Sequence, residues 1–80
     1  MIVIIGRSYY IARDFDIALR ELFGPQLKTR FYGANVSPEA FYGLTGAQII
    51  FVGKPKISSD LAQFLVSQSH YLAYCKDKYQ

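Results

Sequence analysis

The sequence predicts an α/β fold: a three-stranded parallel sheet between helices on both faces. Apolar runs that suit buried strands alternate with segments of helical periodicity, in the order β-α-β-α-β-α. Glycines, two of them next to proline-containing turns, separate these segments. The chain has 80 residues, of which 51% are apolar, so one domain with a small core is expected rather than a disordered chain.

The first strand and the first helix have the clearest patterns. Residues 2–5 form a continuous β-branched run that ends at Gly6, as in a strand covered on both faces. The next segment carries one helical stripe of apolar residues, made of Ile11, Phe15, Ala18, Leu19, Leu22 and Phe23. Asp16 and Arg20 lie off that stripe as an i,i+4 pair, and Gly24 ends the helix.

The remaining elements are predicted from shorter patterns. Residues 28–32 predict a second strand, which is more polar than the first and therefore placed at an edge of the sheet. Ser37, followed by proline and glutamate, predicts the start of a short helix over 38–44. Residues 48–52 predict an apolar third strand, and a serine-capped final helix is expected over 58–76.

The strand order can be predicted from the need to cover the sheet. The order 1-2-3 would place both crossover helices on one face, whereas 2-1-3 buries the apolar first strand between helices on opposite faces. We favour 2-1-3, the order of a Rossmann-like or flavodoxin-like half-domain with three α/β/α layers. The apolar third strand would then lie at an edge, where a second copy of the chain could pair with it.

The loops that follow the three strands contain the candidate binding residues. In open parallel sheets, ligands bind beyond the carboxyl ends of the strands, and here those loops carry basic residues, no acid and two helix N-termini. The candidates for a phosphate, nucleotide or nucleic-acid site are Gly6, Arg7, Ser8, Tyr9, Asn35, Lys54, Lys56 and Ser58. The alternative is that these residues form ordinary solvated turns and helix caps. Neither a P-loop nor a dinucleotide fingerprint is present, so no cofactor is predicted.

Seven tyrosines in so short a chain suggest a contact surface. Five of them are candidate interface residues: Tyr10, Tyr32, Tyr42, Tyr71 and Tyr74. Alternatives are that tyrosine covers the core with its hydroxyl in water, or that bases stack on it. A net charge of +3 is modest for a dedicated nucleic-acid binder. The leading interpretation is a non-enzymatic module that acts through protein contacts, with a homodimer and an unidentified protein partner expected.

The sequence gives no support to a catalytic or metal site. His70 is the sole histidine and Cys75 the sole cysteine, and both are predicted on the final helix, far from the loops. No disulfide within the chain, no metal cluster and no nucleophile-base pair can be formed from these residues. The apolar runs are too short for a membrane span or a signal peptide, so a soluble, cytoplasmic domain is expected.

Two segments are similar to small, uncharacterised bacteriophage proteins. One is residues 37–53, in which a helix ending in Gly-Leu-Thr-Gly leads to an apolar strand that closes on Val-Gly; the other is the opening over residues 1–8. The first segment is also similar to the strand that precedes the acidic Walker B residue of phage terminases and helicases. Gly53 stands where that acid would be, so ATPase activity is not implied. The resemblance covers about half of the chain and implies a Rossmann-like phage protein, which would act in the host cytoplasm.

Overall fold

The computed structural model describes residues 1–74, which form a four-stranded parallel sheet between helical layers. The elements are β1 (Ile2–Gly6), α1 (Tyr9–Phe23), β2 (Thr29–Tyr32), a 3-10 helix (Pro38–Phe41), β3 (Gln48–Val52), α2 (Ser59–Ser67) and β4 (Tyr71–Tyr74). The strand order is β2-β1-β3-β4, and every neighbouring pair is parallel. The predicted parallel α/β sheet and its 2-1-3 order are confirmed, and a fourth strand extends the sheet.

The core lies on both faces of β1. Because side chains alternate along a strand, Ile4 points towards α1 and packs with Ala12 and Val52. Val3 and Ile5 point to the opposite face, where the largest buried cluster also contains Phe41, Ala47, Ile49, Phe51, Leu61 and Leu65. That second face is covered by α2 and the 3-10 helix. A strand buried on both faces explains the uninterrupted apolar run at the start of the sequence.

The number of strands and the extent of the final helix were predicted wrongly. Helix α2 ends at Ser67, and Ser69 then adopts a left-handed backbone with φ of 62°. The N–H of His70 donates to the carbonyl of Leu65 at 3.1 Å, which closes the last turn. The next four residues are β4, paired with β3. Tyr71 and Tyr74 therefore lie on a strand, while Cys75 and the rest of the tail lie outside the described residues.

The fourth strand also changes the position of β3. The prediction placed β3 at an edge, available to a second copy of the chain. In the structure β3 lies between β1 and β4, with Ile49 opposite Val3 on one side and opposite Leu72 on the other. An apolar strand is stabilised most when a neighbouring strand pairs with each of its two edges, and β4 pairs with the second edge of β3. Pairing between chains through β3 is therefore excluded.

The predicted helix over 38–44 is shorter than expected. It is a 3-10 helix over Pro38–Phe41, and the chain then turns through Gly43 and Gly46, whose φ angles are 81° and 70°. These left-handed conformations suit glycine and stop the helix. The short element places Phe41 in the core, fully buried.

None of the helices within residues 1–74 has the length and apolarity required to cross a membrane.

Candidate functional site

The loops after β1, β2 and β3 meet at one edge of the sheet, which we call the carboxyl edge. The register pairs Gly6 with Val52, so β1 and β3 end side by side. The backbone N–H of Arg7 donates to the carbonyl of Val52 at 2.9 Å and joins the first loop to the third. A Cβ placed on Gly33 would lie 3.2 Å from the backbone nitrogen of Tyr9, so the second loop passes close to the start of α1. The three loops are thus brought together as the sequence predicted.

Packing explains the glycine at the end of β1. A Cβ on Gly6 would lie 2.7 Å from the backbone nitrogen of Ala12 and 2.8 Å from the carbonyl oxygen of Ser8. Both are backbone atoms of the tight turn into α1, and they cannot move aside without distorting the helix. Gly6 therefore shapes the site by allowing the helix to begin directly above the strand.

The two candidate serines act as helix caps. The hydroxyl of Ser8 accepts the N–H of Ile11 at 3.3 Å, and the hydroxyl of Ser58 accepts the N–H of Leu61 at 3.1 Å. Each cap satisfies one of the first N–H groups of its helix. Other N–H groups of each first turn have no acceptor within the helix, and they carry the positive end of the helix dipole. The start of α1, whose first turn carries no acidic residue, therefore favours a negative group at this edge, whereas the first turn of α2 already contains Asp60.

Lys54 has an unusual backbone conformation at the end of β3. Its φ is 56°, and it directly follows Gly53, whose φ is 77°. Left-handed backbone is easy for glycine but costs about 1–2 kcal/mol for a residue with a Cβ. The side chains of Lys54 and Lys56 are exposed, as is that of Arg7 across the adjoining loop. The edge thus carries three exposed cations around two helix starts.

Asn35 and Tyr9 border the same edge on the β2 side. The Asn35 amide oxygen lies 3.4 Å from where a Gly33 Cβ would stand, a point that is also 3.2 Å from the backbone nitrogen of Tyr9. The ring of Tyr9 is half exposed and packs against Phe31, with ring centroids 5.3 Å apart. Asn35 could donate to or accept from a ligand, and Tyr9 gives the edge an aromatic wall.

Two of the candidate interface tyrosines are exposed, Tyr10 in the first turn of α1 and Tyr42 directly after the 3-10 helix. Tyr10 is 65% exposed, and the guanidinium carbon of Arg13 lies 5.3 Å from its ring centre. Tyr42 is 66% exposed and contacts the ring of Phe64, with centroids 5.6 Å apart. Both side chains are exposed, Tyr10 on the α1 side of the sheet and Tyr42 on the α2 side.

The other three interface candidates belong to the edge strands. Tyr32, on β2, is half-buried and packs against Phe41 in the core, which fits the use of tyrosine as core cover. Tyr71 and Tyr74, on β4, are both exposed. The Tyr74 ring stacks on Phe51, with centroids 4.8 Å apart.

His70 lies at the opposite edge of the sheet, where the strands begin. Only 5% of it is exposed, and its Nδ1 accepts the N–H of Ala47 at 2.9 Å. This bond joins the start of β4 to the residue before β3, so His70 fixes the added strand. The turn residues Gln68 and Ser69 were the signal for this arrangement, since they interrupt the apolar stripe of the helix.

Asp16 is a second buried polar residue away from the candidate site. It is 5% exposed, and its carboxylate accepts hydrogen bonds from the Thr29 hydroxyl and from Nε of Arg20, the latter at 3.2 Å. Arg20 also donates to the Thr29 hydroxyl at 2.7 Å. The i,i+4 pair was predicted, but its burial against β2 was not. Within residues 1–74, no three His, Cys, Asp or Glu side chains come close enough together to hold a metal ion.

Comparisons of the chain with protein-family models, with curated proteins and with solved structures find no match. The resemblance to small bacteriophage proteins therefore stays a prediction, and the functional argument depends on the geometry of the carboxyl edge.

Proposed function

We propose that this chain is a small, non-enzymatic binding module that holds a phosphate-bearing ligand at the carboxyl edge of its sheet. The observation that carries the proposal is Lys54, a lysine kept in a left-handed conformation beside two helix starts. A nucleotide and the backbone of a nucleic acid share the phosphate chemistry that such an edge would recognise.

The cost of the Lys54 backbone is the first support. Glycine would occupy this conformation without strain, and the preceding residue is a glycine in the same conformation. Strained residues are concentrated at sites where the side chain has a role, and here the side chain is a cation at the expected ligand position.

The convergence of charge is the second support. Arg7 is tied to the end of β3 by its bond to Val52, so its side chain starts close to that of Lys54. A phosphate held between them would meet two charged donors and the N–H groups at the start of α1. Coulomb attraction of this kind weakens with salt when the charges are exposed.

The position of the buried titratable groups supports a binding role over catalysis. His70 and Asp16 are engaged at the edge where the strands begin, each with a hydrogen-bond partner from a neighbouring element. General acid–base catalysis needs such a group within hydrogen-bond reach of the ligand. At the carboxyl edge the candidate groups are cations, backbone N–H groups and hydroxyls, which bind anions without transferring protons at neutral pH. The carboxylate of Asp60 lies in the first turn of α2, where the helix dipole explains it.

The test is to titrate isotope-labelled protein separately with inorganic phosphate, a nucleoside diphosphate and a short single-stranded oligonucleotide. The amide chemical shifts are measured by NMR at each step. We expect the amides of residues 6–10 and 53–60 to shift, with weaker binding as salt is raised. An oligonucleotide that binds far more tightly than the nucleotide, with a steeper salt dependence, would identify a nucleic-acid backbone as the ligand.

Charge-removing variants localise the binding. Lys54→Gln should weaken binding several-fold, and adding Arg7→Gln should weaken it further. Lys28→Gln is the matched control, because Lys28 is exposed and lies at the opposite edge, just before β2. Equal weakening by Lys28→Gln would mean nonspecific attraction to a basic chain and would contradict the site. Unmoved amides at millimolar ligand would contradict it too.

Protein contact through exposed aromatic residues is the second candidate function. It is favoured by the exposure of Tyr10, Tyr42, Tyr71 and Tyr74, each of which is more than 60% accessible. Aromatic residues at this exposure are typical anchors of protein interfaces. Substituting each tyrosine by serine and measuring the mass of the protein in solution would test whether any of them supports self-association.

A further inference from the structure

We propose that the outer edge of β4 pairs with β4 of a second copy, in antiparallel orientation, to form one sheet that continues through a homodimer. The inference develops the second candidate function by naming the surface and the partner. It does not depend on anion binding, which involves the carboxyl edge and other residues.

The first argument is the unpaired backbone of β4. The N–H of Tyr71 donates to the carbonyl of Ala47 at 2.9 Å, so this residue faces β3. Because backbone groups alternate along a strand, the N–H and C=O groups of Leu72 and Tyr74 point the other way. No strand within residues 1–74 pairs with that side of β4. A row of unpaired donors and acceptors is a template for a further strand.

The second argument is the difference between the two edge strands. β2 carries the exposed Arg30 and is preceded by the exposed Lys28. Charged residues, lysine above all, are a common means of keeping an edge strand from pairing with another chain. The β4 sequence is Tyr-Leu-Ala-Tyr, with no charge and no proline, and both of its tyrosines are exposed. One edge is protected from pairing and the other is not.

The third argument is the symmetry of the β4 sequence. A two-fold axis through Ala73 places Leu72 opposite Tyr74 of the second copy, and the same pair recurs on the other side of the axis. Each of these pairs exchanges N–H···O=C bonds, which satisfies the outward groups of both strands. The side chains at the axis are two alanine methyl groups, which fit the close approach of a non-hydrogen-bonded pair. Leu72 and Tyr74 meet as apolar cross-strand neighbours.

The fourth argument is charge, and it selects the antiparallel orientation. Each chain carries a net charge of +3, and Arg7, Lys54 and Lys56 are at its carboxyl edge. Antiparallel pairing directs the two carboxyl edges to opposite ends of the dimer, where the cations are far apart and screened. Within residues 71–74, the contact contains no charged side chain. A second copy therefore fits this edge without like-charge repulsion.

The test begins with sedimentation equilibrium from micromolar to millimolar protein. The wild-type mass should rise from the 9.1 kDa of one chain towards twice that value. Ala73→Lys should keep the protein monomeric over the same range, since two lysines would meet at the axis. Ile17→Lys adds the same charge on the outer side of α1, where Ile17 is 47% exposed, and should dimerise like the wild type. Amide NMR spectra would verify that both variants fold.

A symmetric disulfide tests the register without adding charge. Opposite residues of a non-hydrogen-bonded pair have Cα atoms about 4.5 Å apart, within the range of about 4.4–6.8 Å that a disulfide spans. In a Cys75→Ala background, Ala73→Cys should therefore form a covalent dimer on mild oxidation, and Ile17→Cys should not.

Two results would overturn the proposal. If the wild-type chain stays monomeric at millimolar concentration and Ala73→Cys forms no dimer, β4 does not pair with a second copy. Its outer edge would then be available only to a strand of another protein. A dimer that persists in Ala73→Lys, without the Ala73→Cys cross-link, would place self-association on a different surface.

Discussion

The two ends of the sheet use polar residues in opposite ways. Where the strands begin, Asp16 and His70 are buried, and each holds a hydrogen bond to a neighbouring element. Where the strands end, the polar side chains of Arg7, Lys54 and Lys56 are exposed. Buried polar groups are in most cases hydrogen-bonded, so the Asp16 carboxylate and Nδ1 of His70 are committed to the fold. The exposed cations of the carboxyl edge remain available to a ligand.

This difference explains how so small a domain can keep a binding edge. A chain of this size buries only about 60% of its unfolded surface, so its hydrophobic core alone gives little stability. At the amino ends, part-buried hydrogen bonds attach α1 to β2, and a buried one attaches β4 to β3. Because these hydrogen bonds stabilise the fold at the end where the strands begin, the carboxyl edge can contain a strained lysine and unpaired cations.

The largest effect is expected from removing the carboxylate of Asp16. Asp16→Ala takes the acceptor from the Thr29 hydroxyl and from Arg20, so the free energy of unfolding should fall by about 2–3 kcal/mol. Urea denaturation measures this loss. The control is Asp14→Ala, since the Asp14 side chain is 58% exposed in its ion pair with Arg13 and should change stability by less than about 0.5 kcal/mol. Equal losses in the two variants would contradict the structural role of the buried pair.

The Asp16 network illustrates what could be predicted from sequence and what could not. The spacing of Asp16 and Arg20 predicted their contact, because residues four apart meet on any helix. Nothing local indicated that Thr29, thirteen positions along the chain, would bury the carboxylate. The contact exists because α1 packs across β2, which is a property of the assembled sheet.

Prediction of the strands followed the same division. Residues 2–5 were assigned correctly because four consecutive β-branched residues are typical of a strand covered on both faces. The carboxyl edge was also predictable, since parallel strands must end together and each candidate loop follows a strand. β4 was missed because its four residues have mixed propensity and follow an amphipathic helix, which was extended through the polar Gln68 and Ser69 that interrupt its stripe. What makes them a strand is the free side of β3, which is a tertiary effect.

A smaller effect is expected at His70. His70→Leu puts an apolar side chain of similar size in place of the imidazole and leaves the N–H of Ala47 without its acceptor, so the free energy of unfolding should fall by about 1–3 kcal/mol. His70→Asn retains an acceptor near the position of Nδ1 and should lose less.

Nitrogen NMR of the imidazole sharpens this prediction. Since Nδ1 accepts the Ala47 N–H, the neutral ring must carry its proton on Nε2, which is buried and has no hydrogen-bond partner within residues 1–74. A spectrum with the proton on Nδ1, or equal stability of the wild type and His70→Leu, would show that the ring does not fasten β4 to β3.

The smallest expected change in stability comes from Lys54→Gly at the carboxyl edge. This substitution should raise stability and weaken binding, which distinguishes the carboxyl edge from the end where the strands begin. Lys54→Gly removes the strain of a Cβ at φ 56°, so the free energy of unfolding should rise by up to about 1 kcal/mol after allowing for the greater freedom of glycine in the unfolded chain. The same change removes a cation and should weaken phosphate binding several-fold.

Lys28→Gly is the control: Lys28 has an ordinary negative φ, so glycine there should lower stability by about 0.5–1 kcal/mol and leave binding unchanged. Urea denaturation of the two variants gives the sign of the change in stability, and phosphate titration gives the sign of the change in affinity. If Lys54→Gly lowers stability as Lys28→Gly does, the left-handed backbone of Lys54 does not destabilise the fold. The argument that lysine stands at this position for its charge would then fail.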